Sequence, residues 1–379
     1  MKKLKICVYA ICKNEEKFVD RWAESMKEAD SIYVLDTGSS DNTVEKLKKH
    51  NIIVKEEIIN PWRFDVARNR SLEMVPDDID ICVCTDLDEV LEKGWRNKLE
   101  KLWKKNTDRL HYHYNWSFDE NGIPAISFYT DKIHKRHGYS WMHPVHEVLT
   151  YKEAHENIIT TDDIVLNHYL DHTKSRSSYL NLLELSVEEC PNDDRNMHYL
   201  GREYMFHSKW NEAIDTLIKH LSLKTAKWKD ERCASMRFIG RCYKNLNRFD
   251  EAKLWYEKAI LEAPYLRDAY IEYAMMCYNL NDFKKVYDLC KKAFLIKKHE
   301  KNYINETFSW NETIYDLLTI SSFKLGYIEE SLIYINMALN INPNDKRLIN
   351  NKKIIEEIKK RTGDAPDVTY KNYPIGDKI

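Results

Sequence analysis

Apolar residues recur along this chain in two rhythms, and the rhythm changes near residue 172. Before that point, short runs rich in β-branched residues alternate with stretches whose apolar positions repeat every three to four residues. Residues 4–11, 32–36, 52–58 and 79–85 read as strands, and 16–28, 43–50 and 64–74 as the helices between them. Strands alternating with helices argue a parallel, doubly wound sheet. The pattern then turns antiparallel: 110–118 and 126–133 flank the turn Asp119-Glu120-Asn121-Gly122 and predict a hairpin. Two further short strands are expected at 145–151 and 164–169.

From about residue 175 the strand pattern stops and amphipathic helices follow one another. Leu200-Gly201-x-x-Tyr204 returns as Ile239-Gly240-x-x-Tyr243. Small or slim residues recur in the second helix of each pair: Ala252 and Ala259, Val286 and Ala293, Ser331 and Ala338. Ala259 and Ala338 are each followed five residues later by a proline, Pro264 and Pro343, which ends a helix. The spacings Tyr204 to Tyr243, Ala259 to Ala293 and Ala293 to Ala338 bracket the 34-residue tetratricopeptide period. This half resembles a degenerate tetratricopeptide array of about four repeats. The expected division is an α/β domain over 1–172, an all-α solenoid over 175–362, and a loosely ordered tail over 363–379.

A length of 379 residues suits two domains rather than one core. Net charge is −2 with both signs interspersed, which speaks against a nucleic-acid-binding surface. Apolar runs fall short of the ~20 residues that span a bilayer. The N-terminal stretch, crowded by Lys5 and Lys13, reads as a first strand rather than a signal peptide. Nine cysteines in no paired spacing suggest free thiols and a cytoplasmic setting.

The chemistry concentrates where strands end. Residues 79–89 run from Ile79, Ile81, Cys82, Val83 and Cys84 into Asp86, Asp88 and Glu89. Carboxylates this close repel, and a divalent cation such as Mg2+ or Mn2+ relieves that repulsion. In open α/β sheets ligands bind at the carboxyl ends of strands, where these acids stand. Other strand ends carry Cys12-Lys13-Asn14-Glu15-Glu16 and Asp36-Thr37-Gly38-Ser39-Ser40-Asp41-Asn42-Thr43. Neither is a Walker loop or a Gly-x-Gly-x-x-Gly turn, so kinase-type and dinucleotide chemistry lose support. Arg68 lies on an aromatic and basic helix start, and Trp141-Met142-His143-Pro144-Val145-His146-Glu147 gathers imidazoles and a carboxylate, with His168 and His172 beyond it. The His-Glu-x-x-His protease pattern is not present.

Taken in order, Lys13-Asn14-Glu15-Glu16, Asp36 to Thr43, Ala67-Arg68-Asn69, Asp86-Leu87-Asp88-Glu89 and Val145-His146-Glu147 resemble family 2 glycosyltransferases of the GT-A fold. They are most similar to the subgroup with tetratricopeptide repeats after the catalytic domain, which includes bacterial enzymes that glycosylate bacteriocin peptides on cysteine or serine. The resemblance implies an inverting, metal-dependent transfer from a nucleotide-sugar, with a UDP-sugar as the expected donor. Asp36 would hold the base or ribose against a wall formed near Ile11, with Asn14, Glu15 and Ser39 in the same donor pocket. Asp86 would lie near ribose and metal, and Asp88 would ligate Mn2+ or Mg2+ on the diphosphate, supported by Arg68. Glu147 would deprotonate the acceptor, while His146 or His168 would complete the metal shell or shape the acceptor site.

The helical half would bind a peptide or protein acceptor, or pair two copies of the chain. Where many relatives have Asp-Ala-Asp-Glu this chain has Leu87. The stretch common before Val-His-Glu is replaced by Lys132-Ile133-His134-Lys135-Arg136, so phosphate contacts there are not carried over. The alternatives are a non-catalytic tetratricopeptide scaffold with a vestigial sheet domain, and a sugar nucleotidyltransferase. The latter normally has a Gly-rich first loop unlike Ile11-Cys12-Lys13-Asn14.

Overall fold

Every residue of the first strand, β1 (Ile6–Cys12), is buried, and its side chains divide between two cores. Ile6, Val8, Ala10 and Cys12 join one apolar cluster and Cys7 and Tyr9 another. This is the period of two expressed as two covered faces of a sheet. The computed structural model describes residues 3–118, 122–171, 179–299 and 302–362. The expected tail over 363–379, the hairpin-turn residues Asp119 to Asn121, and His172 lie outside the described residues.

After β1 come α1 (Val19–Met26), β2 (Ser31–Asp36), α2 (Thr43–Lys49), β3 (Ile53–Glu56), α3 (Phe64–Glu73) and β4 (Ile81–Cys84). Then follow β5 (Glu89–Leu91), α4 (Trp95–Leu102), β6 (Arg109–Phe118), β7 (Pro124–Lys135), β8 (Tyr139–Met142), β9 (Val148–Tyr151), β10 (Ile158–His168) and α5 (Tyr179–Glu189). Eight strands form one sheet in the order β3-β2-β1-β4-β7-β6-β10-β5, and β8 pairs with β9 separately. β3, β2, β1 and β4 run parallel, β7 enters antiparallel to β4 and to β6, and β10 returns parallel to β6. The chain moves outward from β1 to β3, then crosses to the other side of β1 for β4. That reversal makes the carboxyl end of β1 and β4 the crevice where ligands collect.

Trp22 of α1 and Trp95 of α4 fill the core on one face. Leu72, Tyr139, Trp141 and Leu149 cover the other, where the Trp141 indole donates to the Tyr9 hydroxyl at 2.9 Å and Tyr9 meets His134 Nε2 at 2.8 Å. Burial pushes the His134 imidazole down to about 3, so it serves as a neutral partner.

Most expected elements are present with ends shifted by a few residues. The strand expected over 145–151 starts at Val148, because His143 and His146 take positive φ values of 81° and 50°, which interrupt extension. The strand expected over 164–169 starts at Ile158 and carries an irregularity between Thr161 and Val165. Asp162 and Asp163 lie within that irregularity, which the strand accommodates as a bulge. Residues 89–102, which show no clear period, form β5 and α4.

The chain divides into two compact units at Pro191 and Asn192, and α5 belongs to the first. The second contains α6 (Asp194–Phe206), α7 (Trp210–Ser222), α8 (Lys229–Asn245), α9 (Phe249–Glu262), α10 (Arg267–Asn279), α11 (Phe283–Leu295), a 3-10 turn at Thr307–Ser309, α12 (Thr313–Lys324), α13 (Ile328–Ile341) and α14 (Lys346–Thr362). Ala252, Ala259, Val286, Ala293, Ser331 and Ala338 are all fully buried where paired helices meet. The long spacing from Ala293 to Ala338 reflects the extra segment, with its 3-10 turn, between α11 and α12. Among the described residues, no helix is long and apolar enough to cross a membrane. All nine cysteines are free thiols.

The two repeated glycines differ in how closely they are packed. A Cβ on Gly201 would stand 2.5 Å from Leu217 Cγ, whereas one on Gly240 would meet the Tyr256 ring at 3.1 Å. Gly201→Ala gains about 1 kcal/mol in helix propensity and loses about 1–3 kcal/mol to overpacking. We expect net destabilisation by Gly201→Ala and a near-neutral Gly240→Ala, read from urea midpoints of the full chain. Equal midpoints would refute this account of the repeat.

Candidate active site

Two strand-to-helix loops are stitched together at the carboxyl edge of the sheet. Asp36 ends β2 buried, and its carboxylate accepts from the Gly38 and Ser39 amides, both at 3.0 Å, from the Ser39 hydroxyl at 2.5 Å and from the Cys12 thiol at 3.4 Å. Gly38 has φ 104°, which a side chain would strain, and so lets the chain fold back over Asp36. From the neighbouring loop the Asn14 amide donates to Ser39 Oγ at 2.8 Å, and Asn14 Oδ1 accepts from the Ser40 amide at 2.7 Å. The Glu15 amide donates to Thr43 Oγ1 at 2.8 Å. Ile11 packs with Leu35 and Ala67 directly beneath. Thus Ile11, Asn14, Glu15, Asp36 and Ser39 are brought together. Because Asp36 already receives four donors, its first task is to hold the loop.

The second assembly is ionic. Arg68, on the buried face of α3, donates from Nε to Glu147 Oε1 at 2.5 Å and from one terminal nitrogen to the two oxygens of Asp86 at 2.9 and 3.1 Å. Its guanidinium also lies over the Trp141 ring, 5.2 Å from the centroid. Lys132, on β7, reaches Asp86 at 3.2 Å and Glu89 at 2.7 Å. Glu89 is buried and further accepts from the Tyr114 hydroxyl at 2.8 Å and the Asp86 amide at 2.9 Å. Burial alone would raise the Asp86 carboxyl, but the charges of Arg68 and Lys132 outweigh it and hold it well below the usual range. Burial would likewise lower Lys132, but Asp86 and Glu89 raise it instead.

Lys132 has no role in the expected site, and Glu89 figures there only as one acid of the Asp86–Glu89 motif. The pairing of Val83 with Ile133 is what brings Lys132 to the end of β4, and a lysine in a strand gives no sign of it. Glu89 stands inside the quoted acidic motif, which is the signal that could have found it.

Asp88 turns to a different partner. Its Oδ2 lies 3.4 Å from His168 Nε2, and its carbonyl accepts from the Tyr169 amide at 2.9 Å. His168 Nδ1 meets the Trp116 carbonyl at 3.0 Å, which places a proton on Nδ1 and turns Nε2 toward Asp88. Burial would lower the His168 imidazole, but Asp88 and Glu89 outweigh it and raise it. The rings of Trp116 and His168 pack 4.6 Å apart. The His146 ring stands edge-on to Tyr179 of α5 at 5.9 Å, and α5 is tied to α3 by the pairing of Glu189 with Arg63. Leu87 is buried in the core and points away from the acids.

An imidazole nitrogen and a carboxylate oxygen 3.4 Å apart suit two adjacent ligands of one hard-to-borderline divalent cation. With a neutral His168, the four carboxylates of Asp86, Asp88, Glu89 and Glu147 exceed the cations Arg68 and Lys132 that pair with this cluster by two charges. The residues therefore fit a divalent ion.

Residues 7–146 match the family model described as Glycosyl transferase family 2, and residues 238–265 match that described as Tetratricopeptide repeat. The chain thus carries a family 2 glycosyltransferase domain followed by a tetratricopeptide-like helical region. No curated protein matches it at a significant level. Similar solved structures include YrrB, a tetratricopeptide protein with an unusual peptide-binding site, at 14% identity and a TM-score of 0.38, over 48% of this chain and 86% of that one. Pseudomonas aeruginosa pilF is 12% identical with a TM-score of 0.36, over 47% and 72% of the two chains. MamA is 17% identical with a TM-score of 0.34, over 49% and 86%.

Lys132→Met would leave Glu89 buried without its cation, at a cost of about 3 kcal/mol. Denaturant unfolding of the full chain should show this loss. An unchanged midpoint would mean that Lys132 is dispensable to the acidic cluster.

Proposed function

We propose that the first unit is an inverting, divalent-cation-dependent glycosyltransferase that moves a sugar from a nucleotide-sugar, with a uridine diphosphate sugar as the expected donor, to a peptide, protein or glycan acceptor. The observation that carries the reading is the Asp88–His168 pair at the carboxyl end of the sheet, inside a unit matched to the family 2 model. Asp88 and His168 would hold Mn2+ or Mg2+, with His146 as a further candidate ligand. A bound cation would neutralise the charge that builds on the leaving diphosphate.

The chain's own residues position the donor. The stitched loops carrying Asn14, Glu15, Asp36 and Ser39 form the nucleotide side, with Ile11 as floor. Arg68 carries positive charge toward the diphosphate and keeps Asp86 in place beside the ribose. Glu147 is the general base that takes the acceptor's proton, and its bond to Arg68 fixes its orientation for that task. A positioned base of this kind contributes about 10²–10⁴-fold. The helical unit presents the acceptor or pairs two copies of the chain. Buried free thiols accord with a cytoplasmic setting.

A thermal-shift screen of UDP-, GDP- and CMP-sugars with Mn2+ identifies the donor. Asp88→Asn is expected to abolish metal-dependent donor hydrolysis and transfer while leaving the unfolding midpoint in place. Retained metal-dependent turnover would remove Asp88 from the metal site. Glu147→Gln keeps an oxygen for Arg68, so donor binding should persist by calorimetry while transfer falls about 10²–10⁴-fold. If binding is lost along with transfer, Glu147 is a structural partner of Arg68 and the base lies elsewhere.

A further inference from the structure

Three successive helices of the second unit bring metal-ligand chemistry to one point. Asp194 stands in the first turn of α6, His220 in the last turn of α7 and Glu231 in the first turn of α8. One donor atom from each lies within 4.8 Å of the other two. His220 is fully buried, Glu231 is 3% exposed and Asp194 is half-buried. His220 Nε2 faces Glu231 Oε1 at 3.3 Å, yet it makes no hydrogen bond of acceptable geometry.

The neighbours leave two proton arrangements at this point, and one of them presents a metal-ligand atom. Ser235 Oγ lies 2.9 Å from His220 Nδ1 and 2.7 Å from His198 Nδ1. A hydroxyl has one proton, so Ser235 donates to one ring and accepts from the other. When Ser235 donates to His198, His220 carries its proton on Nδ1, and Nε2 presents a lone pair to a carboxylate. In that arrangement two acceptors face each other at 3.3 Å and a metal cation satisfies both, whereas Ser235 donating to His220 would put the proton on Nε2 facing Glu231. Donor atoms held about 2.0–2.2 Å from a tetrahedral zinc ion lie roughly 3.3–3.5 Å apart, which is the spacing of this pair.

The supporting bonds of a metal site are also in place. Ser235 orients His220, and the Tyr303 hydroxyl donates to the second oxygen of Glu231. The two carboxylates occupy helix N-terminal turns, which favour the anion, and the imidazole a C-terminal turn, which favours a nearby cation.

We propose that Asp194, His220 and Glu231 bind a divalent transition-metal ion of the zinc class, with water in the remaining position, and so clamp α6, α7 and α8 together. One nitrogen and two carboxylate oxygens select a borderline ion over Ca2+ or Mg2+. The ion is separate from the cation proposed at Asp88, and the site stands or falls without the glycosyltransferase reading.

The test uses the full chain carrying Asp88→Asn, stripped with a chelator and titrated with Co2+, whose visible absorption reports tetrahedral coordination. One equivalent should bind, give the tetrahedral band, and be displaced by Zn2+. Adding His220→Gln or Glu231→Gln should weaken Co2+ binding by more than tenfold, and Ser235→Ala by about tenfold through the supporting bond. Far-UV circular dichroism checks each fold. If His220→Gln does not fold, Glu231→Gln decides. Absence of the band in the Asp88→Asn chain, or its survival in a folded Glu231→Gln chain, overturns the proposal.

Discussion

The buried guanidinium of Arg68 is the constraint on which the first unit's site depends. Its planar fork joins α3 to the end of β4 through Asp86 and to the loop before β9 through Glu147. A lysine offers one point charge and could not satisfy both carboxylates in this geometry. Burying such a cluster is costly unless every charge is met, and Lys132 completes the set by meeting Asp86 and Glu89. The result leaves Asp88 directed to His168 rather than to a fixed cation. A pre-arranged cluster with residual negative charge suits the divalent ion proposed there.

The two loops that follow β1 and β2 work by a different kind of bond. Asp36, Asn14, Ser39 and Thr43 exchange hydrogen bonds between side chains and backbone, which rigidify two turns that apolar packing could not order. Asp36 is thereby a structural acceptor before it is anything else. In the helical unit the governing quantity is distance: small residues at the helix crossings let backbones approach, and Leu217 fills the space that Gly201 leaves.

Much of this was legible in the chain. The alternation of strand and helix, the acids at strand ends, and the Gly-x-x-Tyr and Ala positions of the repeat are local signals, because periodicity and strand ends follow from a few adjacent residues. The irregular segments were less legible. β5 is only three residues long, and the late start of β9 follows from positive φ at His143 and His146, which no propensity reveals.

Sequence alone therefore determined the two fold classes, the family resemblance, and the grouping of Asp86, Asp88, Arg68 and Glu147 as one constellation. Tertiary structure decided who pairs with whom. Lys132 reaches the acids only through the β4–β7 register, and His168 meets Asp88 only because β10 inserts between β6 and β5. Asp194, His220 and Glu231 converge only when three helices pack. The physical reason is the same in each case: ionic and ligand contacts act over a few ångströms between residues far apart in sequence, and only the completed packing sets those distances.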